Sequence, residues 1–90
     1  MIRPENILSH EIVGLAAEIV ESSDLTLERI SGTIVLETKN MVSIRTDFTV
    51  KQVAKKAARK IAIKTDSGVC FISGSSLIGR PEDRIARMKN

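Results

Sequence analysis

The sequence predicts an all-β fold, a small antiparallel barrel with a short helix at each end. Three observations support this prediction. Short β-branched segments alternate apolar with polar residues, and turn-forming residues separate one segment from the next. The length of 90 residues suffices for one small core and leaves no room for a second. We divide the chain into an N-terminal helical extension at 1–13, a barrel at 14–79 and a C-terminal helix at 80–90.

The first part of the chain predicts a short helix followed by a strand. Pro4 to His10 suits a helix because proline is favoured in a first turn, and Gly14 provides a stop soon afterwards. From Leu15 to Ser22, apolar residues occupy alternate positions, which is the pattern of a strand with one buried face.

Two β-hairpins are predicted from turn residues that lie between β-branched segments. The first turns at Lys39 and Asn40, between the segments Ile30 to Thr38 and Met41 to Thr46. The second turns at Asp66 to Gly68, because aspartate and glycine tolerate the positive φ angles of a tight turn. Such short strands and brief turns are typical of a small barrel.

The segment Val50 to Ile63 admits two interpretations. Its apolar residues recur at helical spacing, with five lysine or arginine residues and no acidic residue among them, which favours a basic amphipathic helix. Strands at Thr49 to Val53 and Lys60 to Lys64, joined by a lysine-rich loop, also fit the alternation. The local pattern does not decide between them.

The C-terminal stretch predicts a helix. Pro81, Glu82 and Asp83 suit its first turn, where proline is tolerated and the helix dipole favours acidic groups. Arg87 lies where a positive charge complements the other end of the dipole.

Charge is divided unevenly along the chain. Residues 1–38 carry seven acidic and two basic residues, a net −5, whereas residues 39–90 carry twelve basic and four acidic residues, a net +8. This asymmetry points to a nucleic-acid surface, with ordinary solvated charge as the alternative. Aromatic residues make up only 2% of the chain, so we expect contacts to the nucleic-acid backbone rather than base stacking.

Several function classes are disfavoured by what the sequence lacks. The single cysteine, Cys70, cannot form an internal disulfide, and no Cys/His cluster has metal-ligand spacing, so we expect neither a metal nor a cofactor on the protein. The lone histidine, His10, and the scattered carboxylates form no nuclease centre, so no catalytic residue is predicted. The absence of a membrane span or signal peptide favours a cytoplasmic protein.

Two segments carry a recognisable motif. Gly32-Thr33-Ile34-Val35-Leu36-Glu37-Thr38-Lys39-Asn40 resembles a Gly-x-Val-Val-x-Glu-Thr-x-Asn hairpin, and Gly74 to Arg84 resembles a Gly-x-x-Leu-x-x-Arg-Pro-Glu-x-Arg signature. In this order, with Lys55-Lys56 between them and Glu11 to Leu15 before them, they resemble the ribonuclease P protein component 1 family. The resemblance implies an Sm-like or SH3-like barrel with short terminal helices, and therefore strands around a loop at 50–63.

The resemblance also implies a function. Family members are non-catalytic subunits of ribonuclease P, a ribonucleoprotein whose RNA uses bound magnesium to remove the 5′ leader of precursor tRNA. The implied partners are the ribonuclease P RNA, the zinc-ribbon subunit called ribonuclease P protein component 4 and other ribonuclease P proteins, with direct contact to precursor tRNA left open.

Candidate contact residues follow from charge, turn position and resemblance. The predicted RNA-binding residues are Lys39, Asn40, Lys55, Lys56, Arg59, Lys60, Arg80, Arg84 and Arg87. The predicted protein-partner residues are Ile7, Leu8, Ile12 and Val13. Each group has a structural alternative: Lys39-Asn40 as a plain turn, the Arg80 to Arg84 pattern as an anchor for the helix, and the apolar residues as a cap on the barrel.

Two other functions compete with the ribonuclease P interpretation. One is a stand-alone Sm-like or SH3-like module of a ribosomal or regulatory complex that binds RNA or protein. The other is a small nuclease, which the residue inventory disfavours.

Overall fold

A computed structural model describes residues 4–88 and shows a six-stranded antiparallel sheet with short helices at both ends. A 3-10 helix (Pro4–Ser9) precedes the sheet, and two further 3-10 helices (Leu25–Leu27 and Gly74–Leu77) lie in loops. The strands are β1 (Ala16–Ser22), β2 (Ser31–Glu37), β3 (Met41–Arg45), β4 (Val50–Ala54), β5 (Ala58–Thr65) and β6 (Gly68–Ile72), followed by helix α1 (Pro81–Met88). The all-β prediction is confirmed.

The strands are ordered β4-β3-β2-β1-β5-β6, and every neighbouring pair is antiparallel. The register shifts between Ile34 and Leu36 on β2, and again where β1 pairs with β5. Such bulges bend strands and increase their twist, which curls the sheet into a small barrel-like form.

Gly32 lies on β2 at a point where this strand passes close to β3. A Cβ atom there would overlap the backbone carbonyl of Arg45, the residue on β3 that pairs with Thr33. Only glycine therefore allows β2 to pass β3 this closely.

One core fills the curled sheet, and isoleucine dominates it. The strands supply Ala17, Ile19, Ile34, Val42, Ile44, Val53, Ala58, Ile61, Ile63 and Cys70. The segments outside the sheet supply Ile7, Ile12 and Leu77 to the same core. Ile7 and Ile12, in the described part of the predicted N-terminal extension, thus pack into the core of the barrel, and Cys70 is a core residue.

The segment Val50 to Ile63 forms strand, turn and strand, so the helical interpretation of its periodicity was wrong. Strand β4 pairs with β3 and β5 pairs with β1, so both gain backbone hydrogen bonds from distant segments. Because these pairings bury Val53, Ala58 and Ile61, tertiary packing overrides the helix propensity of the alanines.

Both predicted hairpins are present, with some change at the chain ends. Thr38 donates its backbone N–H to the Met41 carbonyl (2.9 Å), which closes the first hairpin around Lys39 and Asn40.

The N-terminal helix is 3-10 rather than α and ends at Ser9, before Gly14. Residues 1–3 and 89–90, the outer ends of the predicted extension and C-terminal helix, lie outside the described residues.

Candidate nucleic-acid interface

A buried carboxylate lies at one end of the barrel, where β2 ends. Glu37 Oε2 accepts from Lys55 Nζ at 2.8 Å, and Glu37 Oε1 accepts from Arg84 Nη2 at 3.0 Å. Both cationic side chains are 0% exposed. Charges removed from water are tolerated only when they are paired and hydrogen-bonded, which these three groups are.

Lys55 joins three segments of the chain through its other hydrogen bonds. Its ammonium group donates to the carbonyls of Thr38 (2.7 Å) and Lys39 (3.3 Å) in the first hairpin turn. It also donates to the carbonyls of Leu77 (2.7 Å) and Gly79 (3.0 Å), which precede α1. The β2–β3 turn, the β4–β5 turn and the loop before α1 therefore meet around one ammonium group.

Gly74 permits this meeting. A Cβ atom at this position would overlap the backbone carbonyls of Lys55 and Ala58. A glycine here lets the loop that carries Leu77 approach the β4–β5 turn closely enough for Lys55 to reach its carbonyls.

Arg84 fastens both ends of the chain to this network. Its Nε and Nη2 bind Glu37, and its Nη1 donates to the carbonyl of Leu8 in the N-terminal 3-10 helix. Helix α1 and the N-terminal segment are thus held against the barrel by one guanidinium group.

The structure corrects two of the predicted RNA contacts. Lys55 and Arg84 have no exposed side-chain surface and direct their charge at Glu37, so they cannot contact RNA phosphates in this fold. For Arg84, this is the structural alternative considered for the Arg80 to Arg84 pattern, which pins the helix to the barrel.

The other predicted RNA contacts are exposed, and several lie on the three joined segments. Lys39 and Asn40 form the hairpin tip, Lys56 follows the buried Lys55, and Arg80 immediately precedes α1. Two backbone bonds bring these segments together: Gly79 donates to the Lys39 carbonyl (2.9 Å), and Lys55 donates to the Asn40 carbonyl (2.8 Å).

The remaining three predicted contacts flank this region. Arg87 is exposed on α1 and donates to the Ile78 carbonyl at 3.1 Å. Arg59 and Lys60 are exposed at the start of β5, shortly after Lys56. We call Lys39, Asn40, Lys56, Arg59, Lys60, Arg80 and Arg87 the basic surface.

The predicted protein-partner residues divide into two groups. Ile7 and Ile12 are core residues, so their assignment to a partner surface is corrected: they cap the barrel, which was the alternative for them. Leu8 is half-buried against the same core. Val13 remains 42% exposed and is the one of the four with substantial apolar surface.

Sequence reasoning missed the two phenylalanines as surface residues. Phe48 is 96% exposed in the β3–β4 loop, and Phe71 is 59% exposed on β6. Alternation provides a signal for Phe71, because adjacent strand residues face opposite sides and the neighbouring Cys70 is buried. A low aromatic count therefore does not exclude aromatic contacts.

Two further observations concern metals and membranes. Within residues 4–88, no group of three or more His, Cys, Asp or Glu side chains is placed to hold a metal ion. In the same part of the chain, no helix has the length and apolar content that a membrane crossing requires.

The family model described as ribonuclease P/MRP, subunit p29, matches residues 5–87. The chain belongs to this ribonuclease P/MRP p29 family. It is thus a protein subunit of ribonuclease P, the endoribonuclease of tRNA processing, and is associated there with ribonuclease P RNA and other subunits. Family membership decides against the stand-alone ribosomal or regulatory module.

Individual relatives support this membership over nearly the whole chain. Ribonuclease P protein component 1 of Methanococcus aeolicus is 39% identical, over 97% of this chain and 92% of that protein. The protein of the same name from Nitrosopumilus maritimus is 41% identical, over 94% of this chain and 96% of its own. The solved structure of Mth11, a homologue of human RNase P protein Rpp29, superposes with a TM-score of 0.60 at 36% identity, covering 84% of this chain and 99% of Mth11.

The motifs that indicated this family meet in the structure. Glu37 belongs to the first motif and Arg84 to the second, while Lys55 lies between the two in sequence. The buried network of these three residues therefore joins the parts of the chain that carry the ribonuclease P resemblance.

Proposed function

We propose that this ribonuclease P subunit binds the phosphate backbone of ribonuclease P RNA through the basic surface. The observation that carries the proposal is the convergence of Lys39, Lys56 and Arg80 on three segments that Lys55 holds together. Because Glu37 is neutralised inside the barrel, its carboxylate does not oppose the field of these exposed cations.

The proposed contribution is electrostatic and architectural. Lysine and arginine neutralise phosphates and release condensed counterions, which stabilises a folded RNA at ordinary salt concentrations. The hydrolysis of precursor tRNA is assigned to the RNA with its magnesium ions, and the polypeptide is assigned no catalytic residue. Direct contact with precursor tRNA is not needed for this role.

The proposal includes a protein partner. The zinc-ribbon subunit, ribonuclease P protein component 4, is the partner implied by the family resemblance, and Val13 is the predicted contact that still offers apolar surface. A cytoplasmic location, where the thiol of Cys70 stays reduced, is proposed with it.

Salt dependence of RNA binding tests the proposal. With about six phosphates neutralised, affinity for ribonuclease P RNA should fall roughly a thousandfold between about 50 and 200 mM salt. Single changes of Lys39, Lys56 or Arg80 to alanine should each reduce the salt slope by about one, with little change in stability. Filter binding across a salt series measures this slope.

Lys51→Ala is a matched control, because Lys51 is exposed on β4 outside the three joined segments. An equal salt slope for the wild type and all three basic-surface variants would remove this surface from the RNA interface.

In a separate experiment, the purified protein without RNA should leave precursor tRNA intact, and cleavage by the protein alone would contradict the non-catalytic assignment.

A further inference from the structure

A groove of about 410 Å³ crosses the outer face of the sheet, away from the buried network. It spans four neighbouring strands: β2, β1, β5 and β6. Its lining is mostly small side chains, with Glu18, Lys64 and Val69 as the larger ones. The volume lies within the range typical of sites for small ligands.

The register shows which residues stand beside one another in this groove. Ser31 pairs with Glu18, Glu18 pairs with Ala62, and Ala62 pairs with Phe71, so these four form one row across the sheet. The small side chain of Ala62 leaves a depression beside Glu18. Phe71 does not line the groove itself, but its exposed side chain borders the groove as the cross-strand neighbour of Ala62 on β6.

Positive charge flanks the depression at both ends along β5. Lys60 and Lys64 are exposed on β5 on either side of Ala62, on the face opposite the buried Ile61 and Ile63. The ammonium group of Lys60 lies 5.2 Å from the centroid of the Phe71 ring, so cation and ring are available together.

We propose that this groove binds one unpaired nucleotide of RNA. The base lies over Ala62 against Phe71, and the flanking phosphates contact Lys60 and Lys64. An apolar ring beside lysines is the combination that single-stranded nucleic acids require, because stacking holds the base while the cations hold the backbone.

Glu18 is expected to set the orientation of the bound nucleotide. Its carboxylate repels phosphate and accepts hydrogen bonds from the amino groups of adenine, cytosine or guanine. The base edge is therefore expected on the β1 side and the phosphates on the β5 lysines. This inference rests on the proposed RNA-binding function and adds a base contact to the shape-based binding of the basic surface.

The test uses the full chain and a short single-stranded RNA that carries the fluorescent base 2-aminopurine at its centre. Wild-type protein should quench the fluorophore on binding, because stacking quenches it, and a duplex of the same sequence should not show this. Phe71→Leu keeps an apolar side chain without the ring and should weaken single-strand binding about tenfold. The folded fraction of each variant is checked by urea unfolding.

Phe48→Leu is the matched control, since it removes the other exposed ring, which lies in the β3–β4 loop, between strands that do not line the groove. Equal binding by Phe71→Leu and wild type, or an equal loss in Phe48→Leu, would overturn the inference. A Phe71→Leu variant that binds the oligonucleotide normally but loses affinity for another ribonuclease P protein would assign the surface to a protein partner instead. Because the salt slope for ribonuclease P RNA is measured separately, failure of the groove and failure of the basic surface are distinguishable.

Discussion

Lys55 and Lys56 are adjacent lysines in one turn, yet they lie in opposite environments. Lys55 is fully buried with five hydrogen-bond acceptors around its ammonium group, whereas Lys56 is exposed. The same contrast separates Arg84 from Arg80 at the two ends of one motif. In this molecule, a basic motif contains both exposed cations, which we propose contact RNA, and buried cations, which hold the surrounding segments in position.

The two kinds of cation differ in their energetics. A buried ion pair contributes little net stability relative to an apolar core, but removal of one partner leaves an uncompensated charge and is costly. An exposed lysine contributes little to the fold and acts through the field that it presents to phosphates. Mutation of a buried cation should therefore change the stability of the fold, whereas mutation of its exposed neighbour should change the salt dependence of RNA binding.

Glu37→Ala should have the largest effect, because it leaves the charges of both Lys55 and Arg84 without their counterion. We expect a loss of about 5 kcal/mol in the free energy of unfolding. Urea denaturation followed by circular dichroism measures it. Glu18→Gln, which changes an exposed carboxylate, should leave the unfolding midpoint unchanged. A small effect of Glu37→Ala would show that water reaches the network.

The pair Lys55→Met and Lys56→Met sharpens the comparison within one turn. Lys55→Met should cost about 3 kcal/mol, because Glu37 loses one of its two cations. Lys56→Met should leave stability unchanged and lower the salt slope of RNA binding by about one. If both variants lowered only the salt slope, Lys55 would have to be exposed in the RNA-bound protein.

The pair Arg84→Ala and Arg80→Ala applies the same comparison to α1 with the smallest stability effect. Arg84→Ala should cost about 2 kcal/mol, because its charged hydrogen bonds are lost while Lys55 still neutralises Glu37. Its melting temperature should fall while the salt slope of the folded protein is retained. Arg80→Ala should leave the melting temperature unchanged and lower the salt slope of RNA binding. A lower salt slope with unchanged melting temperature for Arg84→Ala would return Arg84 to the RNA interface.

The fold was largely predictable, because turn residues such as Asn40 and Gly68 divide segments whose alternation matches a buried sheet face. The segment Val50 to Ile63 was not predictable from its own pattern. Its strands depend on pairing with β1 and β3, which no local window contains. Only the family resemblance favoured the correct alternative.

The sequence predicts which residue types form the site, but it does not predict which of those side chains are exposed. Sequence identifies lysine and arginine, but the direction of Lys55 depends on two carbonyl-bearing segments that meet it only in the fold. Ile7 and Ile12 were interpreted as a partner surface for the same reason, since their burial depends on packing against distant strands. Phe71 was missed, although alternation with Cys70 places it outside.

The long reach of Arg84 has a consequence for the order of folding. Its partner Glu37 lies 47 residues earlier in the chain, and its partner Leu8 lies 76 residues earlier. Contacts between residues so distant in sequence form slowly, because a large loop must close before they provide any stabilisation. The two ends of the chain are therefore expected to dock in one late step, after the hairpins have formed.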